Sequence, residues 1–261
     1  MAWRHLPKRR YPQRTKPMYN QIKSAFITLT RLPLIKVKDN DFNLSGSLWA
    51  FPIVGLVLGG ILSAVTYALI VLQMDSLIGS ALLVLLMILL TGALHEDGLA
   101  DCADALGASM PERRLEIMRD SQIGAYGTLA LIFSFAIRVY TLSLFWDTNL
   151  IYYVLIICLM ASRGAIVFVP LFSQPARDNG LAAEFKNIKL YQLVIGQTSV
   201  AVIGYLLIGY DIIYLLVAAI FVGFLAARYA TAKLGGFTGD VLGATEQLAQ
   251  ITGLLTLHLL F

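Results

Sequence analysis

The chain has 261 residues, 58% hydrophobic and only 14% charged, with a mean hydropathy of +0.74 and a formal net charge of +4. A soluble globular domain carries about 25% charged residues, so composition excludes that class. Several apolar runs reach the roughly 20 residues needed to cross ~30 Å of hydrocarbon, and they are continuous rather than alternating, which excludes a β-barrel.

Residues 1–38 hold ten of the twenty Lys and Arg residues. Arg4, Lys8, Arg9, Arg10, Arg14 and Lys16 form a basic arm with no adjacent apolar core, too long to be an ordinary signal peptide. No folded module accompanies it, so nucleic acid is not an expected partner; retention beside anionic membrane lipid accounts for the charge. From Met18 to Leu32, Ile22, Ala25, Phe26, Leu29 and Leu32 fall at helical spacing. That predicts an amphipathic helix on the membrane surface, stopped near Pro33.

Seven spans follow, at about Ser47–Gln73, Leu77–Leu94, Gly127–Trp146, Asn149–Phe172, Leu190–Gly209, Ile212–Tyr229 and Val241–Phe261. The expected fold is all-α: a polytopic membrane protein of about seven transmembrane helices plus short cytoplasmic helices. Residues 1–38 make the arm and residues 39–261 the transmembrane catalytic domain. Alternate connections carry Asp75, Asp147 and Asp211 without one Lys or Arg, whereas the others carry Arg113, Arg114, Arg119, Arg177, Lys186, Lys189 and Lys233. The positive-inside rule puts the basic connections and the N-terminus in the cytoplasm of a bacterial or archaeal cell. Three polar connections on one side can converge on one site.

The stretch His95–Gly127 holds Glu96, Asp97, Asp101, Asp104, Glu112, Glu116 and Asp120, seven of the sixteen acidic residues. If residues 97–106 are helical, Asp97, Asp101 and Asp104 share one face, at spacings where like charges repel. A hard divalent ion such as Mg²⁺ would turn that repulsion into coordination. The plainer alternative is a solvated acidic loop. Ser109 to Glu112 has the form of a capping box opening a second short helix, Pro111 to Asp120, that carries Arg113, Arg114 and Arg119. These arginines suit phosphate, or else make a salt-bridged surface helix. In Gly235-Gly-Phe-Thr-Gly-Asp240, Gly236 and Gly239 allow close backbone approach to phosphate, although glycines also simply turn a chain. Asp240 and Glu246 follow. Arg138 and Arg163, each in mid-span, need partners; an ion pair and a phosphate contact are equally open. Arg177, Asp178, Asn179 and Gly180 read as a turn, either a lid or a plain loop. Cys102 and Cys158 are read as packing residues, and the three histidines have no zinc spacing.

HEDGLADCADAL, RRLEIMRDSQIGAYG, ASRG at 161–164 and GGFTGDVLGATE at 235–246 resemble cobalamin synthase, the adenosylcobinamide-GDP ribazoletransferase family. ITLTRLPL and FPIVGLVLGG near the amino terminus are similar to that family too, and the likeness runs from about Phe26. The basic arm is longer than the family leads one to expect. The resemblance implies that α-ribazole, or its 5′-phosphate, attacks the phosphate retained by adenosylcobinamide-GDP, that GMP leaves, and that Mg²⁺ is needed. Candidate catalytic residues are then Asp97, Asp101, Asp104 and Asp240. Candidate metal ligands are the same four with Glu96 and Asp120, and candidate phosphate contacts are Arg113, Arg114, Arg119, Arg163, Gly236 and Gly239. Further copies of the chain, as a homo-oligomer, are an open partner. Competing readings are another membrane phosphotransferase, such as a CDP-alcohol phosphatidyltransferase or a prenyltransferase, and a transporter using Arg138, Arg163 and Glu246.

Overall fold

The structure, a computed structural model, describes residues 18–32, 42–178, 180–185 and 188–261. The expectations for the basic arm from Arg4 to Lys16, the stop at Pro33, and the roles of Asn179 and Lys186 lie outside those residues. Regular structure among the described residues is helical, apart from one isolated parallel bridge between Pro175 and Phe237. The all-α expectation is met.

Helix α1 (Met18–Leu29) is amphipathic as its spacing predicts. Ser24, Ala25, Phe26, Thr28 and Leu29 are buried, while Met18 and Tyr19 are exposed. Its apolar side is covered by protein as well: it packs on the Ser45–Ala50 turn and on α2 (Phe51–Val71). Trp49 Nε1 donates to Gln21 Oε1 at 2.6 Å, and the Arg31 amide donates to the Leu90 carbonyl at 2.7 Å.

Helix α3 (Ser76–Thr91) opens on Asp75, whose carboxylate accepts from the Leu77 and Ile78 amides at 3.0 and 3.1 Å. An anionic cap both fills orphan donors and matches the positive end of the helix dipole. The helix ends at Gly92, which is left-handed, and Ala93 is left-handed too. Two such residues in succession send α4 (Leu94–Asp104) off at 92°. Left-handed backbone costs a non-glycine residue about 1–2 kcal/mol, so the bend at Ala93 is imposed by packing on either side.

Helix α5 (Pro111–Ile117) begins at the expected proline, but the capping box does not form. Its N-cap is Met110, with no side-chain cap bond, because Pro111 starts the helix one residue too late for Ser109 to cap it. Then come α6 (Ala125–Leu144), α7 (Leu150–Ile166), the short α8 (Phe168–Phe172), α9 (Leu190–Ile208), α10 (Ile212–Leu234) and α11 (Gly239–Leu260).

Four stretches are long and apolar enough to cross a membrane: Ser45–Val71, Ala125–Leu144, Leu150–Phe172 and Leu190–Leu234. Helices α3 and α4 make a fifth only as a bent pair. The 45-residue stretch is divided at Gly209, where φ is 64° and ψ −141°, into α9 and α10. Helix α11 is not among them, since Glu246, Gln247 and Gln250 interrupt its apolar sequence. The architecture is multi-pass, with four to five such stretches where the sequence suggested about seven.

Helix α7 is the central pillar. Of its most apolar window 83% is buried, against 28–33% for the other three stretches. Helices α2, α9, α10 and α11 pack around it. Gly55 and Gly59 let α2 lie backbone to backbone with α7, because a Cβ at Gly55 would strike the Leu159 carbonyl. Small residues at that spacing are how helices approach closely without a solvophobic drive. The outer faces of α9 and α10 show Leu206, Val217, Phe221 and Leu225, an apolar surface suited to lipid.

Candidate active site

Three polar connections meet at one end of the bundle. A Cβ at Gly98 of α4 would lie 2.6 Å from the Asp240 carbonyl oxygen and 3.1 Å from the Gly243 Cα, so α4 and the first turns of α11 touch through backbone. The Ala176 amide donates to the Phe237 carbonyl at 2.9 Å, and the Phe237 amide to the Gln174 carbonyl at 2.8 Å. Arg177 Nη2 donates to the Leu115 carbonyl of α5 at 2.8 Å. The acidic stretch, the 173–178 segment and the 235–240 segment are thereby bound into one unit.

Asp97, Asp101 and Asp104 lie in α4, as the spacing predicts, and all three are half-buried. Asp240 stands at the first turn of α11, where Thr238 Oγ1 donates to its Oδ2 at 3.1 Å. Because α4 turns across the end of α3, these carboxylates sit at the end of the bundle. The Asp101 carboxyl is pushed up to about 7, chiefly by burial and then by the charges of Asp240 and Asp97. Asp240 is raised by burial above all, against the Thr238 hydrogen bond, which lowers it. Carboxylates held together against their own repulsion are a hard-oxygen donor set, which fits Mg²⁺ in chemistry. Among the described residues no three His, Cys, Asp or Glu side chains converge closely enough to enclose a metal alone. Mg²⁺ characteristically takes one or two carboxylates and completes its shell with water and substrate phosphate, so the set still suits that ion.

Other acidic candidates are placed differently. The two Asp104 oxygens accept from the Gly124 and Gly127 amides at 2.7 and 2.8 Å, so this carboxylate caps the start of α6. Asp120 is exposed on the loop after α5, and its Oδ1 accepts from the Gln122 amide. Glu96 is buried and turned inward, where Arg138 Nη1 reaches its Oε1 at 3.1 Å.

The arginines divide in the same way. Arg113 pairs with Glu116 at 2.9 Å on the open surface. Arg114 is buried; its Nε donates to the Ala108 carbonyl at 2.7 Å and its Nη1 has no partner among the described residues. Arg119 is exposed near the carboxyl end of α5. Gly236 is buried with φ 157°, and a Cβ there would meet the Gln174 carbonyl oxygen at 2.5 Å, so its bareness serves the junction with 174–176. Gly239 is half-buried at the first position of α11, beside Asp240.

Beneath the site lies a buried polar network joining α4, α6, α7 and α11. Arg163 Nη1 and Ser162 Oγ donate to Glu246 Oε1 at 2.9 and 2.8 Å. His95 Nδ1 lies 3.5 Å from Glu246 Oε2. Gln247 Nε2 donates to both Glu96 Oε1 and Glu246 Oε2, at 3.2 and 3.1 Å, and Gln247 Oε1 accepts from Ser134. Two arginines thus face two carboxylates, and an uncompensated buried charge is avoided. Of the two readings open for Arg138 and Arg163, the ion pair is the one observed.

Sequence reasoning left Arg177 in a turn read as a lid or a plain loop, and passed over Tyr229 and Gln247. Arg177 belongs to a segment with no helical or repeat signal, and only its pairing to residues 236–237 brings it to the site. Tyr229 of α10 is half-buried, and its hydroxyl has no partner among the described residues. Gln247 looks unremarkable in a helix, yet it bridges two carboxylates.

These features define a class: a helical, multi-pass membrane protein with carboxylates and arginines gathered at one end of its bundle. The sequence matches the family described as CobS, cobalamin-5-phosphate synthase, over residues 21–258. It is 38% identical to an adenosylcobinamide-GDP ribazoletransferase of Sinorhizobium sp, over 90% of this chain and 94% of that one. The ribazoletransferase of Mesorhizobium japonicum is 33% identical over 92% and 93% of the two chains, and that of Clostridium novyi 32% over 87% and 92%. No solved structure matches. The chain belongs to the cobalamin-5-phosphate synthase family of cobalamin-forming transferases.

Proposed function

We propose that the protein is an adenosylcobinamide-GDP ribazoletransferase whose active site is the junction of α4, α5, the 173–178 segment and the start of α11. The observation that carries this reading is the backbone contact of Gly98 with Asp240, which joins the two acidic motifs of the family resemblance in one place. Two of Asp97, Asp101 and Asp240 would hold Mg²⁺, with water and substrate phosphate completing its shell, and the ion would supply neutralising charge for the diphosphate. Asp104 supports them from its position as the cap of α6. Arg119 and Arg114 face the remaining phosphate oxygens. A ribazole hydroxyl oxygen forms the new P–O bond, the P–O bond to GMP breaks, and its electron pair leaves with GMP. A carboxylate of the cluster that does not ligate the metal takes the hydroxyl proton.

Helices α2, α3, α6, α7, α9, α10 and α11 cross in turn, which gives seven crossings with α4 and α5 at the surface. Basic residues concentrate on the site-bearing connections, which supports a cytoplasmic site. The test is to incubate purified protein in lipid with adenosylcobinamide-GDP, α-ribazole 5′-phosphate and Mg²⁺. GMP should appear in step with cobalamin phosphate; failure to form either product would sink the assignment.

A further inference from the structure

Arg177 has no evident part in the helical framework, yet three observations bring it to the mouth of the site. The Pro175–Phe237 bridge holds the chain two residues before Arg177 against the segment that opens α11, and the Asp240 carboxylate is near enough to act on the guanidinium. The approach of the two strands depends on Gly236, where a Cβ would lie 2.5 and 2.6 Å from Gln174 and Ala176 backbone atoms. One N–H of the guanidinium is used on the Leu115 carbonyl, which tethers Arg177 to α5 and leaves its other donors without a hydrogen-bond partner among the described residues.

Arg119 lies just past the end of α5, four residues beyond Leu115, and its charge reaches the Arg177 guanidinium. Neither Arg119 nor Arg177 has a carboxylate within ion-pairing distance among the described residues. Burial and then the charge of Arg119 push the Arg177 guanidinium down, while Asp240 acts in the opposite sense. Two like charges at the rim, with donors free, are arranged for an anion rather than for each other. A planar guanidinium already fixed by one bond loses little entropy when it takes up phosphate.

We infer that Arg177 and Arg119 form a two-arginine clamp for a nucleotide phosphate, with Arg177 carried to the site by the pairing of residues 174–176 with 236–237. The inference rests on the transferase reading above and deepens it by naming a binding residue on a segment without other chemistry. The clamp binds charge, so nucleoside without phosphate gains nothing from it.

The test compares GMP with guanosine binding to full-length protein in lipid, for wild type, Arg177→Gln and Arg119→Gln. Glutamine keeps an N–H for the Leu115 carbonyl and removes the charge, so Arg177→Gln should fold with unchanged thermal stability. Its GMP affinity should fall at least about ten-fold, with guanosine affinity unaltered, and KM for the nucleotide substrate should rise more than kcat falls. The double variant should lose less than the product of the single losses, as expected for groups sharing one ligand. Wild-type GMP affinity in Arg177→Gln overturns the clamp, as does an equal loss for guanosine. Wild type binding neither ligand overturns the transferase reading, and the clamp with it.

Discussion

Glu246 and Arg163 meet at 2.9 Å with both side chains 1% exposed, whereas Arg113 and Glu116 meet at the same distance with 67% and 63% exposed. Equal geometry in unequal surroundings gives unequal consequences. Removing one member of the buried pair strands the other charge and should cost about 3–5 kcal/mol. Removing a surface partner should cost well under ~1 kcal/mol. Thermal unfolding in detergent should therefore show Arg163→Ala strongly destabilised and Arg113→Ala close to wild type; equal behaviour would contradict the placement of Arg163. The carboxylates at the bundle end carry a second consequence. Asp101 is raised to about 7 in the metal-free protein, by burial first and then by Asp240 and Asp97. Protons hold the neutral form below that pH, and the proposed Mg²⁺ binds only the ionised form. Mg²⁺ half-saturation should therefore shift to higher concentration as pH falls from 8 to 6, by up to about ten-fold per pH unit below the pKa. A flat Mg²⁺ requirement across that range would remove Asp101 from the metal.

At the scale of elements, the contact of α4 with α11 decides whether the two acidic motifs work together. Gly98→Ala places a methyl group 2.6 Å from the Asp240 carbonyl oxygen, so the helices must part by a few tenths of an ångström or more. Turnover per folded molecule should fall by at least about ten-fold, since small misplacements of reacting groups are costly. Unchanged turnover would mean that the two segments act independently. The sequence made the helices legible, because long apolar runs and the Asp97–Asp101–Asp104 register are local properties. Asp104 shows what local pattern misses: it stands in register with two neighbours, yet both its oxygens are used by amides 20 and 23 residues away. Glu96 is likewise acidic within an acidic motif, and only the fold discloses its partner Arg138, 42 residues on. Pro111 marks the start of α5 in the sequence, but the cap does not follow from spacing, because a helix opening at Pro111 makes Met110 rather than Ser109 its N-cap. Arg177 could be placed only through a pairing that no periodicity announces.

For the whole molecule, burial of α7 and exposure of apolar residues on α9 and α10 describe a bundle surrounded by lipid, with polar connections gathered at one end. The proposed orientation puts that end in the cytoplasm. Cysteines introduced at Asp75, Asp147 and Asp211 should react with an impermeant reagent applied to intact cells, and a cysteine at Arg113 should be protected. Labelling at 113 from outside would reverse the orientation and place the site on the wrong face for cytoplasmic nucleotides. The claim on which the whole account rests is that the ends of α4 and α11 form one metal-dependent transferase site. Its most direct measurement is GMP release per folded molecule in lipid, for wild type, Asp101→Asn and Asp240→Asn, with Mg²⁺ and with excess EDTA. The account predicts Mg²⁺-dependent release by wild type, none in EDTA, and a loss of about a hundred-fold or more in both variants, which remain folded. Release by wild type in EDTA, or near-normal release by the Asp240→Asn variant, would contradict it.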